Sequence, residues 1–145
     1  SRLALIADSY RRLTGKALVP DHVDVTQALW ALPQVILAHS TEEDPIFFYG
    51  NRLALELFEV TPEEIMAMPS RFSAEPMLRE EREALLDRVA RDGYIDDYKG
   101  IRISSSGQRF WIKAATVWDL IDEHGVKHGQ AATFAQWDFV EPKNS

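Results

Sequence analysis

Carboxylates and histidines are the side chains of this chain that could do acid–base or metal chemistry. Asp96 and Asp97 form a carboxylate pair, as general acid–base catalysis often uses. They are adjacent in a strand pattern, so their side chains point to opposite faces and cannot share one site. His124 and His128 have the four-residue spacing of metal ligands on a helix, but the glycines beside them predict a hairpin. We therefore predict no metal site and solvated or arginine-paired carboxylates.

A serine-rich run and one further histidine also call for a chemical interpretation. The run 104–107 reads Ser-Ser-Ser-Gly and is followed by a strand pattern, so it is a hairpin turn and not a phosphate-binding loop. His39 ends an apolar strand and is expected either to hydrogen bond at the edge of the core or to line a pocket. We find no catalytic constellation, so an enzyme is not expected.

Composition excludes several classes of function. The chain has 145 residues, which favours one domain, and it has no cysteine, which excludes disulfides, thiolate metal sites and cysteine-linked chromophores. Its net charge is −7 and it has no basic block, so nucleic-acid binding is not expected. No apolar run reaches the roughly 20 residues of a membrane span, and no leader pattern is seen. These features predict a cytoplasmic domain without nucleic-acid or membrane partners.

Hydrophobic periodicity predicts the elements that must position the polar side chains. Turn and capping signals set their ends: Gly50-Asn51 ends a strand and opens a helix, and Thr61 with Glu64 forms a capping box. The expected strands are Val35–His39, Ile46–Tyr49, Ile95–Ile103, Gln108–Ile121 and Lys127–Trp137, and the expected helices are Leu3–Leu13, a short one ending near Leu32, Arg52–Glu59, one opened by Pro62, and Leu78–Asp92. Together they predict an α+β domain with a five-stranded antiparallel sheet.

The strand Gln108–Ile121 is apolar on both faces when its side chains alternate regularly. One face would carry Phe110, Ile112, Ala114, Thr116, Trp118 and Leu120, and the other Trp111, Lys113, Ala115, Val117, Asp119 and Ile121. A sheet with one solvated face alternates more cleanly. We therefore expect either the N-terminal helix or a second subunit to cover the second face, and a pure dimerisation module centred on Trp111 remains an alternative function.

Several runs match a known family when they are taken together. They are Phe48-Tyr49-Gly50-Asn51-Arg52, Ala54-Leu55-Glu56-Leu57-Phe58, Pro69-Ser70-Arg71-Phe72-Ser73-Ala74-Glu75-Pro76, Arg79-Glu80-Glu81-Arg82, Asp96-Asp97-Tyr98, Gly100-Ile101-Arg102-Ile103-Ser104-Ser105-Ser106-Gly107, Ala115-Thr116-Val117-Trp118 and Gly129-Gln130-Ala131-Ala132-Thr133-Phe134. From about Leu32 to Trp137 the chain resembles the MEKHLA domain, a PAS-related family. That family occurs alone in bacteria and algae, the type this chain resembles, and at the C-terminus of plant class III homeodomain–leucine-zipper proteins.

The resemblance implies a PAS-like fold with helices on one face of the sheet, preceded by an N-terminal helical extension. We expect the extension over residues 1–33, the PAS-like domain over 34–138 and a tail over 139–145. The resemblance also implies a sensory or protein-interaction role, without established catalytic residues. Such a domain would act through a partner protein or through its own homodimer.

The segment Pro69-Ser70-Arg71-Phe72 bears on cofactors. Flavin-binding light sensors of the PAS superfamily carry Asn-Cys-Arg-Phe here, and Ser70 stands at their reactive cysteine, so no cysteinyl–flavin adduct can form. Non-covalent flavin binding remains conceivable, with Gln130 or Gln136 reading the ring edge. Haem is disfavoured because the helix 78–92 contains no histidine. The identity of any cofactor is left open.

PAS-like domains often enclose a cavity between the sheet and the middle helices, where a small apolar or aromatic ligand would bind. We expect that cavity to be lined by Phe48, Phe58, Phe72 and Trp118. The predicted ligand-binding residues are Asn51, Phe58, Arg71, Phe72, Tyr98, Arg102, Thr116, Trp118 and Gln130, with Asn51 acting mainly as a helix cap. A third possibility is a small enzyme of the nuclear-transport-factor-2/ketosteroid-isomerase type, for which Asp97 and His39 are the obvious catalytic groups.

Overall fold

The computed structural model of the protein describes residues 2–73 and 79–140, except for the side chains of Arg79 and Arg82. The helices are α1 Arg2–Thr14, α2 Val25–Ala31, α3 Arg52–Phe58, α4 Pro62–Met66 and α5 Arg79–Asp92, with a 3₁₀ turn at Ser70–Ser73. The strands are β1 Val35–His39, β2 Phe47–Gly50, β3 Tyr94–Ile103, β4 Arg109–Ile121, β5 Lys127–Phe134 and β6 Gln136–Phe139. Every predicted element is present, although Leu78, the predicted start of the long helix, lies outside the described residues.

The strands form one antiparallel sheet in the order β2-β1-β5-β4-β3. The predicted last strand, Lys127–Trp137, is interrupted at Ala135, so its second part is a separate strand, β6, that pairs with the first half of β4. Within the described residues the sheet therefore has six strands, where five were expected. The α+β PAS-like architecture with an N-terminal helix is confirmed.

A bulge in the middle of β4 changes which side chains share a face. Ala114 has φ of 50°, a left-handed conformation, and the pairing with β3 shifts register between the Tyr98 and Gly100 positions. Phe110 and Ile112 therefore pack on the same face as the odd-numbered residues Ala115 and Val117, whereas Trp118 and Leu120 pack on the other face. The regular alternation predicted for Gln108–Ile121 was wrong because the bulge inserts one extra residue.

Each face of the sheet carries its own hydrophobic core. The inner face packs against α3, α4 and α5 in a cluster that includes Phe58, Phe110 and Ile112. The opposite, outer face packs against α1 and α2 around Trp118 and Ile36. The PAS-like helices thus lie on one face, as expected, and the N-terminal extension covers part of the other.

Helix α1 covers only one half of the outer face. Tyr10 contacts Trp118 edge to face, with ring centroids 5.0 Å apart, and the Ser9 hydroxyl both donates to and accepts from the backbone of Ile121 at 3.0 Å. Trp111, on the other half of β4, is 38% exposed, and the Lys99 ammonium lies 5.1 Å from the centroid of its ring. The predicted cover by the N-terminal helix is confirmed for the Trp118 half and absent, within residues 2–73 and 79–140, from the Trp111 half.

Asn51 joins three elements through one buried amide. Its Oδ1 accepts from the backbone N–H of Ile36 at 3.0 Å and of Ala54 at 3.1 Å. Its Nδ2 donates to the carbonyls of Leu29 at 3.0 Å and Gln34 at 2.8 Å. The predicted cap of α3 is confirmed, and the same side chain also holds α2 and β1. These four bonds occupy the amide fully, because it has two donor hydrogens and one acceptor oxygen with two lone pairs.

The serine run 104–107 is a hairpin turn, as predicted, and it is also tied to the end of α3. Glu59 there has φ of 58°, and its carboxylate accepts from the hydroxyls of Ser104, at 2.6 Å, and Ser106. The Ser105 hydroxyl donates to the Glu59 carbonyl at 2.6 Å. Hydrogen bonds from Ser104 and Ser106 lower the pKa of Glu59. The run therefore has a structural role, which is to hold the β3–β4 hairpin against the helical layer.

No helix in the described part of the chain combines the length and the hydrophobicity needed to cross a bilayer.

Candidate functional site

A cavity of about 120 Å³ lies between the inner face of the sheet, the 3₁₀ turn Ser70–Ser73 and α5. Strands β1 and β5 provide its floor, and β3 provides its polar side. Its described lining residues are Leu37, His39, Phe47, Ser70, Ser73, Leu85, Tyr98, Arg102, Ile112, Val117, Gln130, Ala131, Ala132 and Phe134. The lining is apolar around a small polar group, which is the usual make-up of a small-molecule site.

The volume limits what the cavity can hold. Sites for drug-sized ligands and cofactors measure about 300–1,000 Å³. An engineered apolar cavity of about 150 Å³ binds benzene. A cavity of about 120 Å³ therefore matches a body of about one six-membered ring.

His39 is a cavity residue whose pKa is shifted by its surroundings. Its Nδ1 lies 2.9 Å from the Ser40 carbonyl oxygen, which can only accept, so Nδ1 carries a hydrogen. Burial is the largest effect and lowers the pKa of His39, and the hydrogen bond with the Ser40 carbonyl offsets part of that effect. The positive charges of Lys127 and Arg102 lower the pKa further, and the Gln130 hydrogen bond raises it slightly. At neutral pH the ring is therefore uncharged.

Gln130 begins a polar row that leads out of the cavity along neighbouring strands. Its Nε2 donates to Oδ1 of Asp119 at 3.3 Å, and the Lys127 ammonium lies 3.2 Å from the same oxygen. Asp119 is only 8% exposed, and Lys127 supplies the opposite charge that its carboxylate needs there. The row fixes the orientation of the Gln130 amide at the cavity wall.

Arg102 and Tyr98 form the wall contributed by β3. The Arg102 guanidinium carbon lies 5.5 Å from the centroid of the Tyr98 ring, a cation–π contact. The Tyr98 ring passes over Gly100, where an added Cβ would lie 2.5 Å from the phenolic oxygen. The absence of a side chain at Gly100 thus lets Tyr98 lie along the strand towards Arg102.

The structure brings together three of the nine residues predicted to bind a ligand, namely Tyr98, Arg102 and Gln130. Their role in binding stays a prediction. Asn51 serves as the buried cap described above, and Phe58 lies in the inner core against Phe110, with ring centroids 5.3 Å apart.

The other four predicted residues lie away from the cavity. Arg71 is exposed, with its Nε 3.1 Å from Oδ1 of Asp44, and its guanidinium lies over the ring of Phe72, which is 57% exposed. Thr116 and Trp118 belong to the outer face because they follow the β4 bulge. Of these four residues, two therefore lie at the surface and two on the outer face of the sheet.

The cavity expected between Phe48, Phe58, Phe72 and Trp118 does not exist as one volume. Phe48 and Trp118 pack in the outer core, Phe58 packs in the inner core and Phe72 faces solvent. The expectation was wrong because aromatic residues were assigned to one space from their type alone. The sheet separates them.

Three further polar residues line the cavity and are not among the predicted ligand-binding residues, namely His39, Ser70 and Ser73. His39 lies at the end of β1, opposite Gln130 on β5, so it is the pocket residue that its sequence position allows. The sequence carries a signal for His39, because pairing of the strand Val35–His39 with the last strand aligns His39 with Gln130. The turn that brings Ser70 and Ser73 to the cavity has no comparable signal.

The cavity does not fit a flavin. Its volume is less than half of the lower limit for cofactor-sized sites, and three fused rings exceed the single ring that it matches. Ser70 lines the cavity, and with no cysteine in the chain a thiol adduct cannot form. Gln136 lies on β6, outside the described lining.

Of the groups considered for catalysis, His39 lines the cavity, whereas the carboxylates of Asp96 and Asp97 do not. Asp96 and Asp97 are exposed, and Oδ1 of Asp97 lies 2.7 Å from Arg88, so the predicted arginine pairing is confirmed. No carboxylate is among the described residues that line the cavity. His128 contacts Asp122 at 2.7 Å, whereas His124 contacts Glu123, so the two histidines do not converge. Within the described ranges, no three metal-ligating side chains lie together.

The lowered pKa of His39 predicts that stability falls on acidification. Above about pH 6.5 the ring is neutral in both states and contributes no pH dependence. Below that pH His39 becomes protonated in the unfolded chain while its ring in the folded protein is still neutral. The free energy of unfolding therefore decreases, by at most about 1.4 kcal/mol per pH unit for one proton.

Urea unfolding at pH 7.5 and 5.5 measures the decrease. His39→Gln should reduce it, whereas His124→Gln, in the exposed β4–β5 turn, should not; equal decreases in all three proteins would contradict the assignment.

Residues 1–139 match the family model described as the MEKHLA domain. The homeobox-leucine zipper protein ATHB-9 of Arabidopsis thaliana is 30% identical over 117 residues, which are 77% of this chain and 14% of that protein. The homeobox-leucine zipper protein HOX9 of Oryza sativa subsp. japonica is 27% identical over 143 residues, 93% of this chain and 16% of that protein. The chain thus spans less than a fifth of these relatives.

Solved structures share the fold at low sequence identity. The PAS domain of a protein from Colwellia psychrerythraea has a TM-score of 0.64 and 14% identity, and the match covers 79% of this chain and 92% of that one. An RNA-binding light-oxygen-voltage receptor gives 0.65 and 18%, covering 81% of this chain and 34% of the receptor. The light-state dimer of the fungal photoreceptor Vivid gives 0.60 and 15%, covering 89% and 88%. The family match over residues 1–139 and the PAS-type fold agree, and the chain belongs to the MEKHLA domain family.

Proposed function

We propose that this protein is a PAS-like sensory domain that binds a small ligand, with an apolar body of about one ring, in the cavity at the inner face of its sheet. The observation that supports this most directly is the cavity itself, which is about 120 Å³ in volume and has Tyr98, Arg102 and Gln130 at its polar side. The proposal assigns no catalytic role and places the domain in the cytoplasm, as its sequence suggests.

Contacts around the cavity suggest how binding could reach the surface. The 3₁₀ turn that lines it is held to the edge of β2, because Ser70 N–H donates to the Pro45 carbonyl at 2.8 Å and Phe47 N–H donates to the Met68 carbonyl at 3.1 Å. A ligand that moves the turn would therefore move the loop before β2. The exposed Arg71–Asp44 ion pair lies in these same two segments. In the proposal a partner protein or a second copy reads this change.

The cavity proposal is tested by filling the space. Ala132 lies on β5 opposite Leu37 and lines the cavity, so Ala132→Leu places a larger apolar side chain where the ligand would sit. We expect ¹H–¹⁵N NMR titration with toluene to give saturable shifts around Leu37 and Gln130 in the wild type. Binding should be at least tenfold weaker in Ala132→Leu, while stability is unchanged or slightly raised, as for other cavity-filling changes.

The matched control is Ala90→Leu, which makes the same change at an exposed position of α5. Toluene should bind this variant as it binds the wild type. Naphthalene, with two fused rings, should bind neither the wild type nor Ala90→Leu if the cavity volume limits the size of the ligand. Absence of toluene shifts in the wild type, or equal toluene binding by Ala132→Leu, would refute the cavity as a ligand site.

Self-association is a second candidate function, and the exposed half of the outer face favours it. Trp111 lies there between Ile101 on β3 and Asp138 on β6, with Lys99 above its ring. A stable interface buries about 1,200–2,000 Å² in total and concentrates its energy in aromatic anchors. The patch carries an aromatic centre and charges of both signs, as a self-complementary surface between two copies needs.

Sedimentation velocity at micromolar concentration tests this candidate. We expect a dimer in the wild type and a monomer in Trp111→Arg, because a buried unpaired charge opposes association. Trp30→Arg is the control, since Trp30 is 39% exposed, close to the 38% of Trp111, and lies on α2 away from the patch. A wild-type monomer across the concentration range, or dissociation by both changes, would exclude this surface as the dimer interface.

A further inference from the structure

The charge of the cavity is opposite to that of the chain. The protein has 23 acidic and 16 basic residues and a net charge of −7. The described cavity lining nevertheless contains Arg102 and His39 and no carboxylate. A low-dielectric pocket with a cation at its wall attracts an anion more strongly than the same cation does in water. The cavity is therefore an electropositive site in an acidic protein.

Arg102 differs from other arginines of the molecule in its partners. Arg11, Arg71 and Arg88 each have a carboxylate within 3.1 Å, on Asp21, Asp44 and Asp97 respectively. Arg102 makes no such ion pair with any carboxylate in residues 2–73 and 79–140, and its guanidinium instead makes the cation–π contact with Tyr98. A guanidinium is a planar, permanently charged fork that matches a carboxylate through two parallel hydrogen bonds. No described carboxylate uses that capacity at the cavity wall.

The acidic group bonded to Gln130 does not cancel this charge. Asp119 lies next to Gln130 on the inner face, but its carboxylate is already paired with the Lys127 ammonium at 3.2 Å. The Asp119 and Lys127 charges therefore offset one another, and the positive charge of Arg102 remains. Both positive groups also act on His39, whose pKa they lower.

We infer that the cavity takes a small organic carboxylate whose apolar body is no larger than one six-membered ring, with the carboxylate paired to the Arg102 guanidinium. This inference rests on the proposed ligand-binding function and adds the chemical class of the ligand. The ring would lie against Leu37, Phe47 and Phe134, and the carboxylate would lie on the side of Arg102 and Gln130.

Binding of an anion would also change the charge state of His39. The charged groups that act on its ring are Arg102 from β3 and Lys127 from β5, with Asp119 of β4 paired to Lys127, and the described lining from the 3₁₀ turn and α5 is uncharged. A bound carboxylate opposes the effect of Arg102, so the pKa of His39 rises and the complex takes up protons at mildly acidic pH. Proton uptake is a readout that a purely apolar site would not give.

Benzoate, benzamide and toluene are the probes that separate the ligand class from the cavity itself. They share one ring, but only benzoate carries a charge. With ¹H–¹⁵N NMR titration we expect benzoate to bind the wild type at least tenfold more tightly than benzamide. Arg102→Gln should weaken benzoate at least tenfold and change toluene binding less than twofold. Arg102→Lys keeps the charge but loses the planar fork, so it should bind benzoate more weakly than the wild type and more tightly than Arg102→Gln.

Arg88→Gln is the matched control, because it removes an exposed arginine that is paired with Asp97 away from the cavity. It should bind all three probes as the wild type does. The pKa of His39, followed by its ring carbon-bound proton shift, should rise on addition of benzoate and stay constant on addition of toluene. Preserved amide spectra confirm that each variant is folded, so a lost signal reports binding.

The outcomes distinguish the two proposals. If toluene binds but benzoate and benzamide bind equally, or if Arg102→Gln leaves benzoate binding unchanged, the carboxylate class is overturned and the cavity remains a ligand site. If no probe binds the wild type, both proposals are overturned. If benzoate binds equally well to Ala132→Leu, the carboxylate is held elsewhere and the inference fails.

Discussion

Replacement of Asn51 by alanine is expected to lower the free energy of unfolding by about 3–5 kcal/mol. The change removes the cap of α3, which contributes about 1 kcal/mol. It also leaves the buried N–H of Ile36 and the half-buried carbonyl of Gln34 without the Asn51 amide, and unsatisfied buried groups cost about 1–3 kcal/mol each. The Leu29 carbonyl keeps the bond from the Leu32 N–H at 3.4 Å. Since domains are stable by only about 5–15 kcal/mol, the loss is a large part of the total. Urea unfolding followed by circular dichroism measures it.

Asp24→Ala is the control for Asn51→Ala. Asp24 caps α2 through one exposed hydrogen bond, from the Thr26 N–H at 3.1 Å, so its removal should cost about 1 kcal/mol or less. Asn51→Asp keeps the acceptor oxygens but loses the two donated bonds and buries a charge, and should also destabilise strongly. If Asn51→Ala and Asp24→Ala were equally mild, the bonds of Asn51 to Ile36, Leu29 and Gln34 would contribute little beyond capping.

Gly129→Ala is expected to cost about 3 kcal/mol and to remove ligand binding at the cavity. A Cβ at this position would overlap the backbone carbonyl oxygen of His39 on the neighbouring strand, and a backbone atom cannot move aside as a side chain end can. Strands β1 and β5 would have to separate where His39 pairs with Gln130. Thermal unfolding measures the stability, and the toluene titration measures the cavity.

Gly125→Ala, in the turn of the same hairpin, is the matched control. Gly125 has φ of 80°, so alanine there is strained by about 1–2 kcal/mol, but no atom lies within 4 Å of the added Cβ. It should be less destabilising than Gly129→Ala and should leave toluene binding intact. Equal losses of stability with retained binding in both variants would show that β1 and β5 tolerate the closer approach.

The elements of this protein could be predicted from local signals because their causes are local. The Thr61–Glu64 capping box is present, with the Thr61 hydroxyl accepting at 3.1 Å and the Glu64 carboxylate accepting at 2.9 Å. Asn51 caps α3 for the same reason, since its Oδ1 needs only the N–H three residues later. Capping and period need no information from distant parts of the chain.

The composition of the site could not be predicted in this way. The bulge at Ala114 occupies a left-handed conformation in a run of two alanines, which carries no turn signal, and it transfers Trp118 and Thr116 to the outer face. Phe72 looked like a cavity residue from its type, yet it is 57% exposed because the 3₁₀ turn presents Ser70 and Ser73 to the cavity instead. Register and turn geometry decide such placements, and one added residue moves every later side chain to the other face.

Local patterns in the chain therefore determined its family, its order of helices and strands, and the chemistry that it lacks, above all any thiol. Only the tertiary structure decided that Tyr98, Arg102, Gln130 and His39 meet around one cavity while Phe58 and Trp118 lie in separate cores. The physical reason is the range of the interactions. Capping bonds join residues a few positions apart, whereas the cavity forms where β1, β3 and β5 pack against a turn and a helix that are distant in sequence.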